Sequence, residues 1–239
     1  MFKLIKLVVV FLTMTISSSF ADLSDILKKG EVKIAVPEAF APFGSVGKTG
    51  EHEGYDVDVA KLIAKDLGVK LKIVPVVSKQ RIPFLETNKV DLVISTMGAN
   101  PKRAKSINFS SAYAPFYSGV FAPSNIKITS YKDLDGLTVG VTGGTLEDLE
   151  LTKRAPKGTK ITRFGDNAAT LSAIKSKQVQ VLVSGNTVAA SITESDPKFD
   201  LQRKFIIKDS PCFIGIKKGN EDLLRWVNVF ILHKKLGGD

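Results

Sequence analysis

The residue best equipped to hold an organic anion is Arg103, which follows the polar loop Ser95-Thr96-Met97-Gly98 and the pair Asn100-Pro101. Asn and Pro are the residue types of a helix N-cap and first helical position, so Arg103 is expected in a first helical turn. A guanidinium fork makes two parallel charged hydrogen bonds to a carboxylate, although a lone loop arginine is ordinarily solvated. Ser95 and Thr96 carry hydroxyls that either cap local backbone or face a ligand. A second candidate turn, Thr142-Gly143-Gly144-Thr145, opens a helix at Leu146, and free backbone N–H groups at a helix start suit an anion. No Lys-Ser or Lys-Thr follows the glycines, as a nucleotide phosphate loop requires. Covalent and metal chemistry have little to work with. His52 and His233 lie far apart in the sequence and Cys212 is the only cysteine, so neither a Ser/His/Asp set nor a metal-ligand spacing is formed. No catalytic residue, metal or cofactor is assigned, and Glu147 and Asp148 are the carboxylates that a general acid would have to use.

The elements that position these residues follow an α/β grammar. Val32-Lys33-Ile34-Ala35-Val36 reads as a short strand that stops at Pro37, and a glycine-rich loop extends from there to Gly54, carrying Phe40 and Phe43. Long loops of this kind within a compact unit are usually functional. From Tyr55 the apolar residues Val59, Ala60, Ile63, Ala64 and Leu67 recur at helical spacing, and Gly68 is a C-terminal stop. Val69, Leu71 and Ile73 then alternate with lysines, completing a strand-helix-strand unit whose strands must run parallel. A short helix is expected at 81–87. Leu92-Val93-Ile94 reads as a strand buried on both faces, and 114–121 as an extended crossover. The pattern then repeats, with strands at 138–141 and 179–183, helices from Leu146 and around Leu171 to Ile174, a strand at 213–216 and a helix at 221–236.

Composition bounds the setting. Lys3 and Lys6 precede an uncharged run from Leu7 to Ile16, then Ser17 to Ser19, which is the order of a secretory signal peptide cleaved after Ala21. The run is about half of the roughly 20 apolar residues a membrane span needs. Removing Met1 to Ala21 takes two lysines from a net charge of +10 and leaves +8. The remaining lysines are scattered and line no single element, so a nucleic-acid partner is not expected. One thiol cannot form an internal disulfide, and no cysteine near the cleavage point offers a lipid attachment site.

The order of motifs resembles the amino-acid-binding family of periplasmic solute-binding proteins across essentially the whole mature chain. The resemblance rests on Gly54-Tyr55-Asp56-Val57-Asp58-Val59-Ala60, on Lys89-Val90-Asp91-Leu92-Val93-Ile94 leading to Pro101-Lys102-Arg103-Ala104, on Asn108-Phe109-Ser110, and on Leu137-Thr138-Val139-Gly140-Val141 followed by Gly144-Thr145. It implies a type II periplasmic-binding-protein-like fold with two α/β domains, two hinge crossovers and a ligand cleft between the lobes. Domain one is expected at 22–116 plus 213–239 and domain two at 117–212. The implied function is capture of an amino acid or close derivative in the periplasm and delivery to a membrane ABC permease, by a protein expected to be monomeric. By the same resemblance Arg103 grips the ligand carboxylate, Ser95, Thr96 and Gly98 donate from one strand-end loop, and Gly144 and Thr145 from its counterpart. Phe40 lies under the ligand, or alternatively is a buried staple with Phe43. Ser78 stands where relatives often carry a larger residue, which leaves room for a bulkier or polar ligand.

Departures from the family pattern keep alternatives open. Gly98 replaces a common Ser or Thr, removing one hydroxyl. After Val181-Leu182-Val183 the family commonly presents an aspartate for the ligand ammonium, whereas this chain has Ser184-Gly185-Asn186. Either Asn186 accepts from the amine while Glu38, Glu147 or Asp148 supplies the charge, or the ligand is another small carboxylate. The sequence stops at Gly237-Gly238-Asp239, where by the same resemblance relatives usually run on by about a helical turn or more. An enzyme resembling the cyclohexadienyl dehydratases is the main rival. A receptor's sensor domain is disfavoured, since no signalling module is evident.

Overall fold

A computed structural model describes residues 23–237; the expected signal peptide lies outside the described residues. Helix α1 (Leu23–Lys29) leads into strand β1 (Glu31–Pro37), and the loop beyond carries a two-stranded ribbon, β2 (Ser45–Val46) and β3 (His52–Glu53). Helix α2 (Tyr55–Leu67), β4 (Lys70–Val76), α3 (Arg81–Glu86), β5 (Leu92–Met97) and β6 (Ile107–Ala114) follow. The chain then builds β7 (Tyr117–Ala122), β8 (Thr138–Thr142), α4 (Leu146–Arg154), β9 (Lys160–Phe164), α5 (Asn167–Lys175), β10 (Val181–Gly185), α6 (Asn186–Ser195) and β11 (Gln202–Asp209). It ends with β12 (Cys212–Lys217) and α7 (Glu221–Gly237).

These strands form two mixed five-stranded sheets. The first has the order β4-β1-β5-β12-β6, the second β11-β7-β10-β8-β9. In the first, β1 pairs parallel with both β4 and β5, while β12 is antiparallel to β5 and β6. In the second, β8 pairs parallel with β9 and β10, while β7 is antiparallel to β10 and β11. The chain changes sheet at Pro115-Phe116 and again at Ser210-Pro211. The extended crossover expected at 114–121 is therefore two residues long, because β6 and β7 take up the rest as strands of different sheets.

Each sheet is covered on both faces, which is why its central strands read as unbroken apolar runs. Ile34, Leu92 and Ile94 face Ile63 of α2 and Leu223 and Val227 of α7. Their neighbours Ala35 and Val93 point the other way, to Leu85 of α3 and Met97. The second sheet repeats the arrangement: Val139, Val141, Val181 and Val183 pack on Leu151 of α4, while Leu182 and Phe121 pack on Ile174 of α5 and Ile192 of α6. Gly68 ends α2 in the left-handed conformation its sequence position called for, at φ 68°. Ile94 is fully buried at the centre of the first sheet. Ile94→Ala is expected to lower unfolding free energy by about 2–5 kcal/mol, read from urea midpoints at constant m-value.

Candidate functional site

The carboxyl ends of strands in both sheets meet across a crevice of about 430 Å³, partly open to solvent. Loops after β5 and β8, the start of α4 and the end of β10 line it. Ligand sites of open α/β sheets form at these strand ends because the loops there can vary while the strands hold them in place.

Arg103 stands in a 3-10 turn, Arg103–Lys105, rather than an α-helix. Asn100 performs the expected capping, its Oδ1 accepting from the Arg103 backbone N–H at 2.8 Å. The guanidinium reaches both sides of the crevice: Nη1 donates to the Gly98 carbonyl at 2.8 Å and Nη2 to the Gly144 carbonyl at 2.9 Å. A guanidinium has five N–H donors, so three remain for another partner.

A second arginine, absent from the sequence-based site, shares the crevice. Arg81 is 5% exposed and donates from Nε to Ser95 Oγ at 3.0 Å. Burial and then the nearby Arg103 charge hold its pKa down at about 10, against the attraction of Asp56 and Glu147. Burial also lowers the Arg103 pKa, and Glu147 opposes that shift. Neither guanidinium has an ion-pair partner within 4 Å among the described residues. The only sequence signal for Arg81 was a basic residue opening a short helix that is otherwise apolar, a position usually solvated.

Beneath this surface Asp56 is fully buried, accepting from Tyr113 OH at 2.6 Å and Thr96 Oγ1 at 2.8 Å. Thr96 has φ 46°, a strained value for a β-branched residue, and the bond to Asp56 braces it there. Burial raises the Asp56 pKa to about 6, although both hydroxyl bonds and the Arg81 charge favour the ionised form.

The remaining expected residues divide. Phe40, Thr96, Gly98 and Thr145 line the crevice. Phe40 also belongs to the first core, 5.4 Å from Phe43, so one ring both lines the crevice and packs beneath it. Thr145 caps α4, accepting from Asp148 N at 3.2 Å and donating to the Thr142 carbonyl at 2.9 Å. Gly144 contributes the carbonyl that Arg103 holds, and Ser78 lines an adjoining crevice with Arg81 and Arg103. Ser95 is buried behind Arg81 and acts on the crevice through it. The structure does not bring Asn186 or Glu38 to the crevice wall. Asn186 opens α6, its Oδ1 accepting from Tyr117 N at 3.2 Å, and Glu38 is exposed. Of the acids considered, Asp148 is bonded to Gly144 N and ion-paired with Arg163 at 2.7 Å. Glu147 alone lines the crevice, with Oε1 accepting from Ser118 Oγ at 2.7 Å.

Gly98 has a steric reason as well as a missing hydroxyl. A Cβ built there would collide with Leu146 Cδ1 of α4 and with Ser210 Oγ. The bare backbone lets the two lobes approach. A second clearance lies opposite, where the Phe116 ring fills the space beside Gly185.

Two α/β units with mirrored sheet orders, joined by two short crossings and facing each other over a polar crevice, make this a type II periplasmic-binding-protein fold. The chain belongs to the bacterial extracellular solute-binding proteins, family 3, whose model matches residues 32–238. It is 29% identical over 194 residues to the ABC transporter glutamine-binding protein of Bacillus subtilis, covering 80% of this chain and 70% of that one. Among solved structures it resembles the solute receptor for L-cysteine of Neisseria gonorrhoeae, with TM-score 0.84 at 31% identity over 91% of this chain and 89% of that one. It also resembles an ancestral amino acid-binding protein described as a precursor of cyclohexadienyl dehydratase, with TM-score 0.83 at 31% identity over 90% of this chain and 94% of that one. The protein is therefore a solute-binding protein. No helix among the described residues is long and apolar enough to cross a membrane.

Two outcomes are expected. Gly98→Val should hold the lobes apart and weaken ligand binding, and Leu146→Ala in the same molecule should restore part of the loss; titration calorimetry on the four combinations reads this coupling. The second concerns Asp56, whose folded pKa near 6 exceeds the ordinary 3.8. Between these values the native state holds a proton the unfolded state lacks, so stability from this group is present at low pH and lost as pH rises through about 6. Asp56→Asn should remove that component, worth about 3 kcal/mol. Urea unfolding of both proteins from pH 4 to 7 checks it; parallel profiles would refute the assignment.

Proposed function

We propose that this protein captures an amino acid or close derivative between its lobes in the periplasm and presents it to a membrane ABC permease. In this reading residues 22–116 and 213–239 move as one body and 117–212 as the other, hinged at the two crossings, and the protein works as a monomer. Arg103 carries the reading. Its guanidinium contacts backbone from both lobes and keeps three N–H groups for a ligand carboxylate. Glu147 supplies the counter-charge for the ligand ammonium, in place of an aspartate after β10. Phe40 forms an apolar floor, and Thr96, Gly98 and Thr145 close the walls.

Relatives named for glutamine and L-cysteine binding support an amino acid as cargo. A carrier needs no chemistry at the crevice, and the ligand should leave unchanged. The dehydratase reading keeps one specific support, a carboxylate that lines the crevice at Glu147. Mass spectrometry of each ligand after prolonged incubation separates the two: new product means an enzyme, unaltered ligand a carrier.

A thermal-shift screen over the amino acids should find at least one that stabilises the protein. Ligand at about 100 times its dissociation constant adds about 2.7 kcal/mol, or roughly 5–10 °C at this size. Arg103→Ala should weaken that ligand by about 30-fold to several thousandfold, corresponding to the roughly 2–5 kcal/mol lost with one partner of a desolvated charge pair. Unchanged affinity in a folded variant would remove Arg103 from the site.

A further inference from the structure

The carboxylate, ammonium and side chain of a bound amino acid need three different environments, and the crevice offers charge for all three. This inference rests on the functional reading above and concerns the third. With Arg103 assigned to the α-carboxylate and Glu147 to the ammonium, Arg81 is left over. It is 95% buried, and among the described residues its one hydrogen bond, from Nε to Ser95, leaves both terminal nitrogens of the fork without a partner. Asp56 cannot serve that fork directly. It forms no ion pair with Arg81 within 4 Å, is held by Thr96 and Tyr113, and lies outside the crevice lining.

Arg81 also lines the adjoining crevice, of about 530 Å³, together with Ser78, Lys79 and Arg103. Three cationic side chains and no carboxylate line this space. Ser78 contributes a short hydroxyl where a longer residue would close it. A desolvated guanidinium with a free fork favours a planar anion, and a carboxylate matches its geometry with two parallel bonds. A neutral side-chain amide would leave that fork without a charged acceptor, and a cationic side chain would face three like charges. The geometry points to an acidic L-amino acid, one bearing a second carboxylate on its side chain, as the cargo, with Arg81 as the residue that selects it.

The test is isothermal titration of the full chain with L-glutamate, L-aspartate, L-glutamine, L-asparagine, L-arginine, L-cysteine and glutarate. At least one acidic amino acid should bind about 30-fold or more tightly than its own amide. Glutarate, which lacks the ammonium, should bind more weakly than L-glutamate. Arg81→Met should abolish the preference for acid over amide, whereas Arg81→Lys, which keeps the charge without the fork, should retain part of it. If the methionine variant does not fold, judged by circular dichroism, the panel on the unmodified chain decides alone. Preferential binding of glutamine, asparagine, arginine or cysteine would overturn the acidic assignment and leave the amino-acid reading standing. Binding of none of these six amino acids would overturn the acidic assignment alone, while tightest binding of glutarate would overturn both.

Discussion

One guanidinium joins the two halves of this molecule. Arg103 is held at its own lobe by the Gly98 carbonyl and at the other by Gly144, so the relative placement of the sheets is registered at the point where a ligand would sit. Hydrogen bonds to a charged group contribute about 1.5–3 kcal/mol each, and burial of the charge works against them. Such a contact positions without locking. The second arginine sharpens the balance, because Arg81 and Arg103 repel while Asp56 draws on Arg81 from behind and Glu147 draws on both from the opposite lobe. The site is a small electrostatic cell whose neutrality is unequal in space: its negative charges are bonded to hydroxyls, while much of its positive charge faces inward.

The fold was legible in sequence wherever a strand is buried on both faces. Ile34 to Val36 and Leu92 to Ile94 carry apolar residues on every position because α2 and α7 cover one side and α3 the other. The edge strands gave no such signal. β9 (KITRF) and β11 (QRKFIIKD) each expose one face or one rim, so charged residues interrupt them and neither was anticipated. α6 was hidden for another reason. Its opening Asn186 was read as a ligand-facing loop residue, yet the amide turns back to the Tyr117 N–H where the chain enters the second sheet.

The candidate site was legible where a motif fixes the backbone, and illegible where burial decides. Asn100 and Arg103 fall in one short turn, and their roles follow from spacing. Arg81 has no such frame, since its inward direction depends on Ser95, fourteen residues on, being buried behind it. Gly98 was read as the loss of a hydroxyl. The more consequential loss is of volume, because a side chain there would occupy the space that Leu146 fills from the opposite lobe. No one-dimensional pattern relates those two positions, one in the loop after β5 and the other at the start of α4.

The position of β12 has a consequence for how the chain reaches this arrangement. It lies between β5 and β6, and among the described residues it is the only strand with which β6 pairs. The first sheet thus cannot be completed until residues 212–217 are present, even though β6 ends at Ala114. The second sheet, made wholly from residues 117–209, has every strand it needs beforehand. Non-local pairing is slow because loop closure precedes its reward. During synthesis the middle of the chain can condense first, while nearly half of the chain before it waits with an unpaired strand for a partner encoded almost at the other end.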